Sequence, residues 1–270
     1  MIIKHVDINR FDIVKEIKQN NIIGMELGVA EGNFSYKMME SKKFKFFYGV
    51  DSYDDFQHDD TEYKNTKNKL SKFSNYQLIR KTFELALDEF EDNSLDFIYI
   101  DGFAHTGNNG GKTLFQWIDK LKIGGICAGD DYHDDWPLVK KTVQYFTKKL
   151  NIKLYITNNS AEGKYSEYPS WFFFKSNNKI INLPLAFSDE AKKKHNEELF
   201  KRSFIGKILN FKSKYYIYKI IYINLIYKHR IMTSLNLNKS NKPNFDILSN
   251  EPKNYYMKFE LSNTNIAVAN

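Results

Sequence analysis

Short apolar runs alternate with segments in which apolar residues recur every three or four positions. The runs lie at 22–27, 44–50, 76–80, 95–100, 123–129, 152–156 and 171–174, and the periodic segments at 10–20, 33–40, 61–73, 83–90, 112–121 and 138–150. Runs that are apolar throughout are typical of strands that helices cover on both faces. The pattern therefore predicts an α/β fold with a Rossmann-like, doubly wound sheet of seven strands, mostly parallel.

The last two runs differ from the others because a polar connector, without helical periodicity, separates 152–156 from 171–174. This spacing predicts an antiparallel hairpin at the sheet edge. Beyond about residue 180 the alternation stops. We therefore expect one domain over 1–180 and a helical extension with a tail over 181–270.

Charge distinguishes these two parts. The net charge is +7, but residues 181–270 hold 15 Lys and Arg against 7 Asp and Glu, so that the excess of basic residues belongs to the extension. A single cysteine, Cys127, excludes a disulfide framework and a cysteine-based zinc site. No secretory signal or membrane-spanning run is evident in the sequence. A soluble cytoplasmic protein is expected.

The segment 204–230 is dense in aromatic residues and lysine. One interpretation is a helix that packs on the core or on a second subunit, which would make the protein a homo-oligomer. The other is peripheral docking to the anionic inner face of a membrane. The same composition is also typical of segments that bind nucleic acid. The acidic end of the predicted sheet argues against a polyanion there.

Acidic residues follow two of the predicted strands. Asp101 comes directly after 95–100, and Asp130 and Asp131 follow 123–129. Ligands of open parallel sheets bind at the carboxyl ends of the strands, so we expect these carboxylates to share one crevice. Crowded carboxylates repel one another, and hard oxygen ligands suit Mg²⁺ or Mn²⁺. The sequence predicts a divalent cation there.

A glycine-containing turn follows the first predicted strand. Gly28 and Gly32 allow a tight turn close to a ligand at a helix N-terminus, and Asp51 ends the next strand where an acid can accept hydrogen bonds from ribose. Ala30 stands where a dinucleotide-binding loop has its middle glycine, and the Walker pattern is absent. We expect a nucleoside-containing ligand.

Four motifs together resemble the class I S-adenosylmethionine-dependent methyltransferases. They are MELGVAEGNFS at 25–35, GVD at 49–51, FIYIDG at 97–102 and GGICAGDDY at 124–132. The likeness is greatest to the branch of metal-dependent sugar O-methyltransferases and cephalosporin-hydroxylase-like proteins, and it covers about 20–176.

The resemblance implies the roles of individual residues. The cofactor would contact Glu26, Gly28, Glu31, Gly32, Asp51, Ser52, Tyr53, Thr82, Phe83 and Asp101, with Glu84 beside the adenine. A magnesium-like ion would bind Asp101, Asp130 and Asp131. Phe103 replaces the aspartate that serves as general base in the macrolide-sugar branch. His105 is therefore the first candidate for the base and His133 the second, with Asp101 also in the catalytic group.

We accordingly expect an O-methyltransferase, assisted by a divalent metal, that acts on a hydroxyl of a small molecule. A sugar or nucleotide-linked sugar of a surface polysaccharide is the expected acceptor. Two alternatives remain open. One is an RNA methyltransferase that uses the basic extension, and the other is a non-catalytic module that keeps the cofactor fold and tethers a partner or membrane.

Overall fold

The computed structural model describes residues 2–55, 58–103, 106–158 and 167–202. The segment 204–230 and the tail lie outside the described residues. The strands are β1 (Ile2–Val6), β2 (Ile22–Leu27), β3 (Phe44–Asp51), β4 (Tyr76–Arg80), β5 (Leu95–Ile100), β6 (Leu121–Gly129), β7 (Lys153–Thr157) and β8 (Trp171–Phe174). The α-helices are α1 (Asn33–Glu40), α2 (Asp60–Leu70), α3 (Phe83–Leu87), α4 (Gly107–Gly110), α5 (Lys112–Trp117), α6 (Pro137–Leu150) and α7 (Leu185–Arg202).

The strands form one sheet in the order β1-β7-β8-β6-β5-β2-β3-β4. All neighbours are parallel except β8, which is antiparallel to β6 and to β7. The predicted Rossmann-like fold is confirmed, with one strand more than expected. The extra strand is β1, which pairs with β7 and forms the edge, so that the antiparallel hairpin lies one strand inside it.

Helices cover both faces of the sheet and create two apolar clusters. One contains Trp117, Phe146 and Trp171, together with the inward residues of α3, α5 and α6. The other contains Ile13, Val14 and the residues of α1 that face Phe47 and Phe97. This double coverage explains why the central strands are apolar throughout.

A 3₁₀-helix, Arg10–Glu16, replaces the first helix expected from the sequence. The Asn9 side chain caps it by accepting hydrogen bonds from the backbone N–H groups of Phe11 and Asp12 at 2.8 and 3.2 Å. Ile13 and Val14 are buried, which anchors the helix against the sheet. The cap and the anchor together fix the direction of the Arg10 side chain.

Helix α7 lies in the predicted extension but packs on the domain. Phe187 and Ala191 are buried, and Lys141 of α6 forms an ion pair with Glu190 at 2.5 Å. The compact unit therefore continues beyond residue 180, because α7 covers apolar surface next to α4 and α6. In the described ranges we find no helix with the length and apolar character needed to span a bilayer.

Candidate functional site

The turn after β2 and the end of β5 meet at the carboxyl edge of the sheet. The Gly28 N–H donates to Val50 O at 2.9 Å, and the Asp101 N–H donates to Leu27 O at 2.8 Å. Gly28 has a φ of +95°, and a Cβ there would lie 1.8 Å from the Asp101 carbonyl oxygen. Glycine is required at this position by both conformation and space. The predicted cofactor loop and the predicted acidic cluster are therefore in direct contact.

Asp51 holds the loop in place. The backbone N–H groups of Val29 and Ala30 donate to its Oδ2 at 2.8 and 3.0 Å, and the Tyr53 N–H donates to its Oδ1 at 3.1 Å. Charge-assisted hydrogen bonds of this kind are stronger than neutral ones. Asp51 thus stabilises the turn in the absence of a ligand, a role additional to the ribose contact predicted from the sequence.

The two residues after Asp51 point in different directions. Tyr53 is buried, and its hydroxyl donates to Ala30 O at 2.8 Å, so this side chain supports the loop. Burial raises the pKa of the Tyr53 hydroxyl well above its ordinary value. Ser52 remains near the surface and donates to Asp54.

Glu26 is also placed behind the loop. Its exposed fraction is 1%, and its carboxylate accepts a hydrogen bond from Ser35, which also contacts the Tyr76 hydroxyl at 3.1 Å. Burial raises the pKa of Glu26 well above the ordinary value. Glu31, by contrast, is exposed and accepts a hydrogen bond from Asn33 at 3.2 Å. Of these two acids, only Glu31 is at the surface of the loop.

An aromatic wall stands on the side where the resemblance places the adenine. The ring centroids of Phe83 and Phe103 are 5.4 Å apart in an edge-on arrangement. Phe103 has a φ of +57° and is 55% exposed. Thr82 caps α3, and Glu84 pairs with Lys112 at 3.2 Å. Phe103, which departs from the family pattern, therefore presents an exposed apolar surface next to Phe83.

A buried arginine occupies the middle of the acidic cluster. Arg10 Nη1 donates to Asp130 Oδ2 at 2.5 Å, and Nη2 donates to Asp101 Oδ2 at 2.7 Å. The exposed fraction of the side chain is 7% for Arg10, 4% for Asp130 and 28% for Asp101. The carboxylates do converge, as the sequence predicted, but the cation between them belongs to the chain itself.

The second oxygen of Asp130 is bound as well. Ser170 Oγ donates to Asp130 Oδ1 at 2.9 Å, and Ser170 also contacts the Tyr99 hydroxyl at 2.9 Å. The Trp171 indole N–H donates to the main-chain oxygen of Asp130 at 3.1 Å. Burial raises the pKa of Asp130, and the nearby Arg10 opposes that rise. Asp130 is therefore a structural carboxylate with both oxygens bound.

The predicted metal site does not fit this arrangement. A divalent cation needs carboxylate oxygens directed at one point, whereas Asp130 directs one oxygen at Arg10 and the other at Ser170. Within the described ranges, no group of three His, Cys, Asp or Glu side chains is positioned to hold a metal. The ligand set Asp101, Asp130 and Asp131 is accordingly corrected, because a guanidinium occupies the space between its first two members.

Asp131 lies beside this cluster with a φ of +63°. Burial, then repulsion from Asp130 and Asp101, raises the pKa of Asp131 to about 8. Its carboxyl has no hydrogen-bond partner among the residues that the structure describes. A carboxyl with a pKa near neutrality is suited to exchange protons at physiological pH.

The rim beyond Asp131 is aromatic and acidic. The rings of His133 and Tyr168 lie 4.5 Å apart, and the Tyr168 hydroxyl donates to Asp135 at 2.7 Å. Trp136 meets Tyr168 edge-on at 6.1 Å. His133, the second candidate for the base, is thus part of this rim. His105, the first candidate, falls outside the described residues.

Arg10 and Ser170 are the two site residues that the sequence did not reveal. They lie far from Asp130 in the chain, and neither belongs to a recognisable motif. The available signal was indirect. Three acids predicted at one strand edge demand a counter-charge, but the sequence does not indicate which of its basic residues provides it.

One family model matches part of the chain. Residues 25–132 match the family model described as a methyltransferase domain. This segment contains the glycine turn, Asp51, the aromatic wall and all three strand-end aspartates. No curated protein matches the chain.

Several solved structures are similar to part of this chain at low identity. A putative methyltransferase from Streptococcus mutans in complex with SAH is 17% identical, with 61% of this chain and 94% of that chain covered and a TM-score of 0.45. A putative caffeoyl-CoA O-methyltransferase from Staphylococcus aureus is 17% identical, with coverage of 63% and 84% and a TM-score of 0.47. A putative rRNA methylase from Clostridium thermocellum is 15% identical, with coverage of 63% and 94% and a TM-score of 0.45.

Proposed function

We propose that this chain is a class I S-adenosylmethionine-dependent methyltransferase that methylates a hydroxyl oxygen of a small molecule. The proposed acceptor is a sugar or nucleotide-linked sugar of a surface polysaccharide. The observation that carries the proposal is the contact between Gly28 and Asp101, because it joins the cofactor loop to the acidic strand end. A cofactor bound at this loop would therefore lie next to an acceptor bound at the strand-end aspartates.

The residues of the loop fit the cofactor. The turn from Gly28 to Gly32 leads into the N-terminus of α1, where backbone N–H groups favour an anionic group such as the methionine carboxylate. Phe83 and Phe103 offer apolar faces for the adenine. When bound, S-adenosylmethionine supplies an electrophilic methyl group on a sulfonium. The surrounding carboxylates favour that positive charge.

The acidic residues fit a hydroxyl acceptor. Asp101 is partly exposed and uses one oxygen for Arg10, which leaves Oδ1 to accept a hydrogen bond from an acceptor hydroxyl. Orientation of the hydroxyl towards the methyl group is the main requirement for transfer. His105 and His133 remain the proposed bases for the released proton, and Asp131 is a third group with a suitable pKa.

The rim supports a carbohydrate as the acceptor. The rings of His133, Trp136 and Tyr168 offer apolar faces to the C–H groups of a sugar, and Asp135 offers a carboxylate to its hydroxyls. Aromatic faces next to carboxylates satisfy both the apolar and the polar surface of a pyranose. The peripheral membrane contact and the homo-oligomer remain predictions, because they depend on residues 204–230.

Calorimetry tests the cofactor first. The purified chain should bind S-adenosylmethionine and S-adenosylhomocysteine, and Gly28→Ala should abolish binding of both. Transfer of a labelled methyl group to a panel of nucleotide sugars then tests the acceptor, with Asp101→Asn as the matched variant. That variant should retain cofactor binding and lose transfer. Cofactor binding without transfer to any sugar would reject the acceptor, and absence of cofactor binding would reject the proposal as a whole.

A further inference from the structure

Arg10 forms a clamp between two strands that carry the acidic cluster. Its two terminal nitrogens reach Asp130 Oδ2 at 2.5 Å and Asp101 Oδ2 at 2.7 Å, at the ends of β6 and β5. The guanidinium is planar and presents its donors in a fixed fork, so it holds both carboxylates in a defined orientation. A single positive charge thus lies where the sequence pattern predicted a divalent ion.

The clamp is part of the folded core. The Arg10 guanidinium lies 5.1 Å from the centroid of the Phe34 ring and 5.2 Å from that of Tyr99. The Asn9 cap and the burial of Ile13 fix the backbone that carries it. An arginine held by rings, carboxylates and a capped helix cannot leave the site without loss of several interactions. A metal ion would therefore have to displace a buried, paired charge.

We propose that Arg10 takes the place of a divalent cation at this strand edge, so that the site is independent of metal and Arg10 acts as a positioning residue for Asp101. The guanidinium compensates two of the three strand-end carboxylates and holds Asp101 by its Oδ2 atom. The significance for methyl transfer rests on the proposed function. The clamp itself can be tested without a measurement of methyl transfer.

Removal of the guanidinium should convert the cluster into a metal site. Arg10→Met keeps an unbranched apolar side chain between the rings but leaves Asp101, Asp130 and Asp131 without their internal cation. Oxygen ligands crowded in this way favour a hard divalent ion. We expect Arg10→Met to bind one Mn²⁺ at least about tenfold more tightly than the unmodified chain.

The experiment is titration of each purified full-length chain with MnCl₂, followed by calorimetry and by the loss of the free Mn²⁺ electron paramagnetic resonance signal. Arg10→Lys should behave like the unmodified chain, since it retains a positive charge. Arg10→Met combined with Asp130→Asn should lose the acquired site. Circular dichroism establishes that each variant is folded, and S-adenosylmethionine binding tests the proposed function separately.

Two outcomes would overturn the proposal. The first is stoichiometric Mn²⁺ binding by the unmodified chain, with no gain in Arg10→Met. The second is a folded Arg10→Met that binds Mn²⁺ no more tightly than the unmodified chain. If Arg10→Met fails to fold, Mn²⁺ binding is compared between the unmodified chain and Asp130→Asn, and that comparison tests the proposal. Mn²⁺ binding that is present in the former and lost in the latter would show a resident metal site and reject the clamp.

Discussion

Gly28 and Asp101 are in contact through their main chains, and a Cβ on Gly28 would lie 1.8 Å from the Asp101 carbonyl oxygen. This contact joins the ends of β2 and β5, which are adjacent in the sheet but separated in sequence by β3, β4 and three helices. The close approach places the cofactor turn against the strand end that carries the acidic cluster. Any side chain at Gly28 would force the two apart.

Gly28→Ala should therefore impair both stability and cofactor binding. The substitution adds a steric clash with main-chain atoms to the cost of a left-handed conformation, which is about 1–2 kcal/mol for alanine. Gly124→Ala is a matched control because Gly124 has a φ of +85°, and among the described residues beyond its chain neighbours no heavy atom lies within 4 Å of the added Cβ. Chemical denaturation should show a larger loss for Gly28→Ala. Equal losses in the two variants would contradict the importance of the contact.

Asp51→Asn should loosen the turn without changing the size of the side chain. Asp51 accepts three hydrogen bonds from backbone N–H groups, and an asparagine retains only one acceptor oxygen. We expect faster amide exchange at Val29 and Ala30 and at least about tenfold weaker binding of S-adenosylmethionine. If amide exchange is unchanged while cofactor binding weakens, Asp51 acts only through a contact with the ribose.

Arg10→Met should destabilise the fold by about 3–5 kcal/mol, since it leaves buried carboxylates unpaired. Addition of Asp130→Asn should recover part of the loss, because it removes the most buried of those charges. Lys15→Met serves as the control on the same 3₁₀-helix. Lys15 forms an exposed pair with Asp12, for which a change below about 1 kcal/mol is expected. Denaturation curves of the variants supply the comparison.

The pKa of Asp131 predicts a pH dependence of stability. Because burial raises this pKa from 3.8 to about 8, the folded chain retains a proton that the unfolded chain has released between those values. The contribution of this group to stability therefore falls as pH rises through that window. Asp131→Asn removes the titration and should raise the midpoint of thermal unfolding more at about pH 8 than at about pH 5.

Asp135→Asn is the control for Asp131→Asn, since it removes an exposed carboxylate from the same rim. Thermal unfolding followed by circular dichroism across the pH range measures both. The difference in unfolding midpoint between Asp131→Asn and the unmodified chain is expected to change with pH. If it stays constant, the Asp131 carboxyl is ionised throughout the range, and the prediction is wrong.

The thiol of Cys127 should be unreactive in the folded chain. It is buried in β6, and burial raises its pKa above the ordinary value, so little thiolate forms at neutral pH. Since it is the only cysteine, labelling with an aromatic disulfide reports on it alone. We expect no labelling of the native protein and one thiol per chain in denaturant. Rapid labelling of the native protein would show that the Cys127 thiol in β6 is accessible, and the prediction would be wrong.

The sequence predicted the central strands with little error because their burial on both faces leaves continuous apolar runs. β2, β5 and β8 have the bounds expected from the pattern, and so does β4, although it is the edge strand at the other end of the sheet. β1 was missed for the opposite reason. It is an edge strand with mostly exposed side chains, so its residues show no apolar pattern and its pairing with β7 is entirely long-range.

Local patterns and the geometry of parallel strands predict most of the sheet, the glycine turn and the convergence of Asp101, Asp130 and Asp131. The residues that balance those charges follow only from how the whole chain folds. Arg10 and Ser170 reach Asp130 from 120 and 40 residues away. Local sequence patterns carry no trace of such pairs, because a buried ion pair is specified by how distant elements pack and not by the residues beside it.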